Sequence, residues 1–173
     1  MSIPSLKKVA EHAAANDKIF CLNLSAPFIV DFFGDQMAIA MPYADYLFGN
    51  ESEAVAYGKK HNLGEDLKEI ALAVAALPKK NEKRSRTVVF TQGSSSTIVA
   101  CNGKITEHEV VPLAKDLLVD TNGAGDAFVG GFLSQLVNGK DVEACVKAGN
   151  YAAKYIIQTS GTQFEKACDY SAD

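Results

Sequence analysis

Short apolar runs alternate with longer amphipathic stretches along most of the chain. Two of these runs, at residues 18–24 and 46–49, are almost wholly apolar, which is typical of strands that are covered on both faces. Later strands are expected at residues 87–91, 97–101 and 105–110, the last two joined by the hairpin dipeptide Asn-Gly. This alternation predicts an α/β fold with a mostly parallel β-sheet flanked by helices.

The amphipathic stretches predict helices, because their apolar residues recur at helical spacing. The stretches with this spacing are residues 5–16, 51–61, 66–77, 126–137 and 142–158. Another helix is expected to begin at Pro27, since proline is common in a first helical turn. Its expected apolar face consists of Ile29, Phe32, Phe33, Met37 and Ala40.

Residues 120–126, with the sequence DTNGAGD, join an extended apolar segment to one of these helices. A glycine-flanked turn that opens a helix leaves the first N–H groups of the helix without intrahelical partners. Those donors and the positive end of the helix dipole together make an anion site. Asp126 lies in the first turn, beside the position that a bound phosphate would take. The stretch therefore predicts a phosphate loop with a base at Asp126.

Other well-known glycine loops do not fit these residues. A Walker A loop needs a lysine after its second glycine, whereas Gly130 is followed by Gly131. A dinucleotide-binding fingerprint needs a glycine where Phe128 stands. A calcium loop that began at Asp120 would place Ala124 at a ligand position. One alternative stays open, because an aspartate that only caps a helix has the same spacing.

The composition and charge of the chain limit the classes of protein to which it could belong. The chain has 173 residues, 47% of them hydrophobic and 22% charged, as expected for one soluble domain. A net charge of -4 argues against a general nucleic-acid binder. The longest apolar run, residues 70–78, is too short to span a bilayer, and residues 1–17 lack the apolar core of a signal peptide. We therefore expect a cytoplasmic protein with no nucleic-acid, membrane or obligate protein partner.

Two further features bear on the location of the protein. The four cysteines are widely spaced and are interpreted as free thiols of a reducing compartment. The basic cluster KKNEKRSR at residues 79–86 is interpreted as a solvated connecting loop. As a localisation signal, the same cluster would also allow a nuclear location.

Several segments resemble one enzyme family. DTNGAGD and its continuation AFVGG, residues 120–131, resemble the C-terminal signature of the ribokinase-like (PfkB-type) sugar and nucleoside kinases. Residues 50–53, Asn-Glu-Ser-Glu, resemble the NxxE motif of that family, and residues 91–93, Thr-Gln-Gly, resemble its nucleotide-contacting segment. Flanking segments resemble its adenosine-phosphorylating members: NLSAPF, FGNE, FTQG and GGFLSQL. The ordered matches run along nearly the whole chain.

The resemblance implies transfer of the ATP γ-phosphoryl group to the 5′-hydroxyl of adenosine, which gives AMP and ADP. Asp126 would be the catalytic base that takes the hydroxyl proton. Gly123, Ala124 and Gly125 would supply backbone N–H donors to the transferring phosphoryl group, as an anion hole. Small residues are needed there because a bulky side chain would keep the phosphate from the backbone.

The resemblance also implies a metal site and a cation site. Asn50 and Glu53 would orient Mg²⁺ and the phosphates through water. An N-terminal cap followed by a first-turn glutamate accounts for the same spacing, and this alternative stays open. Ser160-Gly161-Thr162 resembles a region that binds a monovalent cation in relatives.

The implied nucleotide-binding residues are Thr91, Gly93, Asn122 and Asn150, which would line the adenine and ribose side of ATP. Phe28 would stack on a nucleoside base, although a lone aromatic residue after proline is also typical of a protein core.

The chain also departs from the family pattern. Residues 1–173 correspond to the C-terminal part of the kinase domain, so we expect the N-terminal half and the lid to be missing. Lys115 stands where a glutamine is expected, and the tail from Cys168 diverges. Three functions stay open: an adenosine-phosphorylating enzyme, a PfkB-type sugar kinase, and a non-catalytic nucleotide-binding fragment.

Overall fold

The computed structural model describes residues 3–162 and 169–171. The helices are α1 Ile3–Ala15, α2 Pro27–Phe32, α3 Gly34–Ala40, α4 Glu51–Lys60, α5 Leu67–Ala75, α6 Ala124–Leu136 and α7 Val142–Ile156. The strands are β1 Cys21–Asn23, β2 Tyr46–Asn50, β3 Thr87–Gln92, β4 Ser95–Cys101 and β5 Lys104–His108. Short 3₁₀ helices cover Met41–Tyr43 and Lys115–Leu117. The chain divides into two compact units, residues 1–93 with 97–107, and residues 94–96 with 108–173.

Within the described residues, five strands form one sheet in the order β1-β2-β3-β4-β5. The pairs β1–β2 and β2–β3 are parallel. The connection from β3 to β4 and that from β4 to β5 are two residues each, and only antiparallel strands can be joined by so short a link. The α/β class is confirmed, but the prediction of a mostly parallel sheet is wrong because the sheet is mixed.

The core of the first unit lies between this sheet and helices α2 to α5. It is built from fully buried aliphatic and aromatic side chains, among them Leu24, Leu47, Ile70, Val88 and Phe90. A smaller cluster, formed by Ala10, Ala13, Phe20, Ala40 and Ala44, holds α1 against the rest of the unit. Alanine predominates in this second cluster, so the backbones can approach closely there.

The helix predicted from Pro27 is broken into α2 and α3. The Lys60 ammonium donates to the carbonyl oxygens of Val30, at 2.6 Å, and Asp31, at 2.7 Å, and so satisfies the last turn of α2. A Cβ atom on Gly34 would lie 2.4 Å from that ammonium, so a larger residue there would require the Lys60 side chain to move. The break also turns Phe32 outward, with 80% of the residue exposed, against the predicted apolar face.

Residues 79–86 connect α5 to β3 as expected and half of them are exposed, but the cluster is not wholly solvated, because three of its basic side chains belong to a network of ionic and hydrogen-bond contacts. Lys79, with only 7% of its side chain exposed, donates to the Asp45 carboxylate at 2.5 Å. Arg84 pairs with Asp17 at 2.6 Å. Arg86 is 1% exposed and donates to the carbonyl oxygens of Met41, Ala44, Val74, Leu77 and Pro78. The network holds the chain in place just before β2 and β3.

The second unit consists mainly of α6 packed against α7. Phe128 and Phe132 of α6 are buried, with ring centroids 6.2 Å apart. Gly131 lies against the backbone of Ala148, and a Cβ atom on Gly149 would be 2.8 Å from the Phe128 ring. The two glycines therefore set the close spacing of the helices.

The structure also bears on the state of the cysteines and on the question of membrane-spanning helices. Cys21, Cys101 and Cys145 are free thiols as predicted, whereas Cys168 lies outside the described residues. In the part of the chain that the structure describes, no helix has the length and apolar character needed to cross a membrane.

Candidate active site

The phosphate loop predicted from the sequence lies at the start of α6 in the second unit. Gly123 caps the helix with φ 77° and ψ −1°, a left-handed conformation that favours glycine. The Ala124 N–H donates to the Thr121 oxygen at 3.3 Å, and the Ala127 N–H donates to the Gly123 oxygen at 2.8 Å. The helix begins at Ala124, two residues earlier than predicted. The glycine-rich loop and the helix N-terminus are thus one feature.

This helix start has open donors. The N–H groups of Gly125 and Asp126 donate no hydrogen bond to a described residue, as expected for the first turn of a helix. A Cβ atom on Gly125 would meet nothing within 4 Å. The Asp126 side chain, in the same turn, is exposed. Among the described residues, none occupies the space beside Gly125, so an anion at these amides would lie beside the Asp126 carboxylate.

Asp120 anchors the loop, a role that the sequence reasoning missed. Its carboxylate accepts hydrogen bonds from the N–H of Asn122 at 2.9 Å and from the N–H of Gly161 at 3.3 Å. These two donors, with Asn122 the stronger, hold the pKa of Asp120 below its usual value. The signal that was available is the spacing, since an aspartate commonly accepts from the backbone two residues later.

The loop is also fixed to the end of α7. The N–H groups of Val119 and Asp120 both donate to the Ile157 oxygen, at 2.9 and 3.2 Å. Asn150, a predicted nucleotide-binding residue, is half-buried on α7, directly after the glycine that contacts α6. The second unit therefore contains Asn122, Asn150 and the whole predicted catalytic loop, residues 123–126.

Ser160-Gly161-Thr162, the segment predicted to bind a monovalent cation, lies in the same unit. Gly161 has a positive φ of 80° and points its N–H at Asp120. The Thr162 methyl would be 2.8 Å from a Cβ atom placed on Gly123. In the structure the segment supports the loop, and cation binding stays a prediction.

The predicted metal-binding residues, Asn50 and Glu53, lie in the first unit and form a complete capping box at the start of α4. Asn50 Oδ1 accepts from the Glu53 N–H at 2.9 Å, while the Asn50 N–H donates to Glu53 Oε2 at 3.0 Å. Asn50 Nδ2 also donates to Glu53 Oε1 at 3.0 Å. The N-terminal cap that the sequence left open as an alternative is therefore present. Glu53 is also largely buried, with 6% of the residue exposed.

Asn50 and Glu53 could contact a magnesium ion only through its bound water molecules. Their oxygens are of the kind that Mg²⁺ prefers, but both carboxylate oxygens of Glu53 and the amide oxygen of Asn50 already accept hydrogen bonds within the cap. Among the described residues, no group of three or more His, Cys, Asp or Glu side chains could hold a metal ion. A direct metal-binding cage is thus not formed by the described residues, and contact through metal-bound water is compatible with them.

Thr91 lies next to Asn50, because the two residues are partners in the parallel register of β2 and β3. Gly93 follows β3 with φ 55°, and a Cβ atom there would meet nothing within 4 Å. The positive φ of the turn is therefore sufficient to explain why residue 93 is a glycine. Phe28, on α2, is 57% exposed, so the alternative that it is a core residue is wrong.

Residues 2–167 match the family described as pfkB family carbohydrate kinase. The chain belongs to this family. Adenosine kinase 1 of Arabidopsis thaliana is 50% identical over 172 residues, which are 99% of this chain and 50% of that protein. Adenosine kinase of Dictyostelium discoideum is 47% identical over 161 residues, 93% of this chain and 47% of that protein.

Solved structures of the family agree with the fold. Anopheles gambiae adenosine kinase, in complex with P1,P4-di(adenosine-5) tetraphosphate, matches with a TM-score of 0.93 and 48% identity, over 98% of this chain and 50% of that one. Schistosoma mansoni adenosine kinase, in complex with adenosine and AMP, matches with a TM-score of 0.86 and 37% identity, over 95% of this chain and 49% of that one. The chain therefore spans about half the length of the relatives it matches.

Proposed function

We propose that this chain is the phosphoryl-transfer part of an adenosine kinase, which moves the γ-phosphoryl group of ATP to the 5′-hydroxyl of adenosine. The observation that carries the proposal is the start of α6. There a left-handed glycine cap is followed by the open N–H groups of Gly125 and Asp126, with the exposed Asp126 carboxylate in the same turn. An anion site with a base beside it is what phosphoryl transfer requires.

Each part of the loop has a separate task in this proposal. Asp126 accepts the proton of the attacking hydroxyl, so that the oxygen becomes a better nucleophile. The N–H groups of Gly123, Ala124 and Gly125 would stabilise the negative charge on the transferring group, for which the Ala124 N–H would give up its 3.3 Å hydrogen bond to Thr121, and the helix dipole adds to their effect. Asp120 acts as a positioning residue, because its two backbone hydrogen bonds hold the loop in the conformation that exposes those donors.

The nucleotide-binding role of the remaining residues rests on the family. Thr91, Gly93, Asn122 and Asn150 would line the adenine and ribose side of ATP, and the exposed ring of Phe28 would stack on a nucleoside base. Asn50 and Glu53 would hold water molecules of a bound Mg²⁺. That ion would supply charge neutralisation for the phosphates.

The choice of adenosine as acceptor is supported by the relatives. The adenosine kinases of Arabidopsis thaliana and Dictyostelium discoideum are 50% and 47% identical to the chain. The Anopheles gambiae enzyme binds a di-adenosine tetraphosphate and that of Schistosoma mansoni binds adenosine and AMP. Since the chain spans about half of each relative, activity and acceptor preference of the whole protein belong to the proposal.

The test is transfer of radiolabelled phosphate from MgATP to adenosine, compared with ribose as acceptor. We expect adenosine to be the better acceptor, and Asp126→Asn to lower turnover by about 10²–10⁴-fold with ATP binding retained. Asp116→Asn is the matched control, since Asp116 is also exposed in the second unit but lies outside the loop.

Three outcomes would change the proposal. Preference for ribose would favour a sugar kinase. ATP binding without turnover would favour a non-catalytic fragment. Absence of ATP binding by a chain shown to be folded would contradict the nucleotide-binding role of all these residues.

A further inference from the structure

A cavity of about 490 Å³ lies within the first unit, between α3, α4 and the segment at residues 77–80 that follows α5. Its volume is within the range of pockets that bind small molecules. None of the residues assigned to phosphoryl transfer or nucleotide binding lines it. The cavity is therefore a feature that the proposed function does not use.

The walls of the cavity suit a planar apolar group. Met37 and Met41 form one side, and methionine side chains adapt readily to the shape of a ligand. On another side the rings of Tyr57 and His61 lie against each other, with centroids 4.2 Å apart. Burial and the nearby charge of Lys60 lower the pKa of His61, which favours its neutral imidazole.

The rim of the cavity is cationic. Lys79 is already engaged, since its ammonium donates to Asp45 at 2.5 Å and to the Arg84 oxygen at 2.9 Å. Lys80 is exposed and is held by its backbone N–H, which donates to the Pro42 oxygen at 2.7 Å. Among the described residues its ammonium has no ion-pair partner, and no carboxylate lines the cavity. The uncompensated charge favours an anionic ligand.

Helix α4 separates this cavity from the candidate nucleotide residues of the same unit. Asn50 and Glu53 stand at the N-terminus of α4, whereas His61 follows its C-terminus. At 1.5 Å per residue, Asn50 and His61 are about 16 Å apart along the helix axis. Met41 and Pro42 precede β2, so the cavity lies at the amino end of the parallel strands, and Thr91 lies at the carboxyl end.

We infer that this cavity is a second ligand site, which takes a small molecule with a planar apolar body and one anionic group. The apolar body packs between the methionines and the Tyr57–His61 pair. The anionic group, a carboxylate or a sulfonate, pairs with the ammonium of Lys80.

The test uses 2-naphthoate and its neutral analogue 2-naphthamide, each titrated into the 173-residue chain. The chain has no tryptophan, so the fluorescence of the naphthalene ring can be followed without tryptophan background. We expect saturable binding, with 2-naphthoate the tighter ligand. Saturating MgATP should not displace it, because Asn50, Glu53 and Thr91 lie at the other end of α4 within this unit.

Two variants test whether the ligands bind in this cavity. Ala38→Phe should weaken both ligands at least tenfold, because Ala38 is an exposed residue at the cavity wall and the added ring occludes it. Ala15→Phe, on the exposed end of α1, is its control. Lys80→Gln should weaken the binding of 2-naphthoate by up to about fivefold and leave the binding of 2-naphthamide unchanged. Its control is Lys83→Gln, outside the cavity, which should change the binding of neither ligand.

The inference is overturned if the folded chain binds neither ligand saturably, or if Ala38→Phe leaves binding intact. Displacement of 2-naphthoate by MgATP would also overturn it, because the probe would then occupy the nucleotide site. Equal loss of both ligands in Lys80→Gln would contradict the assignment of an anionic partner. Circular dichroism of each variant confirms that the fold is retained before binding is interpreted.

Discussion

Arg86 is the residue whose replacement most directly tests how the first unit is held together. It is 1% exposed, and its guanidinium makes five hydrogen bonds to backbone carbonyl oxygens. These carbonyls lie at the end of α5 and around the 3₁₀ helix before β2, so one side chain ties both segments to the start of β3. Burial lowers the pKa of Arg86, but a guanidinium stays charged in proteins.

We expect Arg86→Lys to be strongly destabilising although it keeps the charge. A lysine has three donors where arginine has five, so at least two of the carbonyls lose their partner. At about 1.5–3 kcal/mol for a bond to a charged donor, the loss is about 3–6 kcal/mol. This is a large part of the total of about 5–15 kcal/mol that is typical of a folded domain.

The assay is urea denaturation of the chain, followed by circular dichroism at two protein concentrations to detect association. Lys83→Gln is the control, because Lys83 is exposed and its pairing with Asp17, at 3.3 Å, is a surface contact. It should change the free energy of unfolding by at most about 1 kcal/mol. An Arg86→Lys chain as stable as this control would refute the role assigned to the five hydrogen bonds.

Two further predictions concern the second unit. Gly149→Ala should lower the free energy of unfolding by about 1–3 kcal/mol, because the new Cβ atom would be 2.8 Å from Phe128. Gly130→Ala should raise the free energy of unfolding by about 0.5–1 kcal/mol, because residue 130 lies in open space on α6 and alanine favours a helix over glycine. Thermal melts of the pair compare them directly, and equal melting temperatures would argue against close packing of α6 on α7. Asp120 has a pKa below its usual value in the folded chain, so its stabilisation is present above the usual pKa and is lost as the pH falls through the lowered one. Asp120→Asn should therefore be less sensitive to acid in melts taken from neutral to strongly acidic pH, and an unchanged acid profile would contradict the anchoring role.

The features that the sequence predicts best are local ones. The hairpin between β4 and β5 is confirmed at Asn102 and Gly103, which both have positive φ as an Asn-Gly turn requires. The cap of α6 could also be predicted, because glycine adopts the left-handed conformation of Gly123 without steric cost. In both cases the residue types at the turn itself give the signal, although contacts with Ile157 and Gly161 also hold the loop before α6.

The features that the sequence does not predict depend on distant residues. The basic cluster looks solvated by composition, and only the convergence of carbonyls from Met41 and Val74 makes Arg86 a buried residue. The break before α3 depends on Lys60, which comes 30 residues after the carbonyl that it binds at Val30. The alternation of elements suggested a mostly parallel sheet, but the link after β3 is two residues in the structure and not the five expected from the sequence, and so short a link requires an antiparallel partner.

The proposed function requires that the start of α6 bind the phosphates of ATP. The most direct measurement is a titration of the ¹⁵N-labelled chain with MgATP, followed by the amide resonances of Gly123, Gly125 and Asp126. We expect these amides to shift saturably with MgATP and much less with AMP, which lacks the β- and γ-phosphates. If a folded chain binds MgATP without a shift of these three amides, or does not bind it, the phosphate site is not at the start of α6.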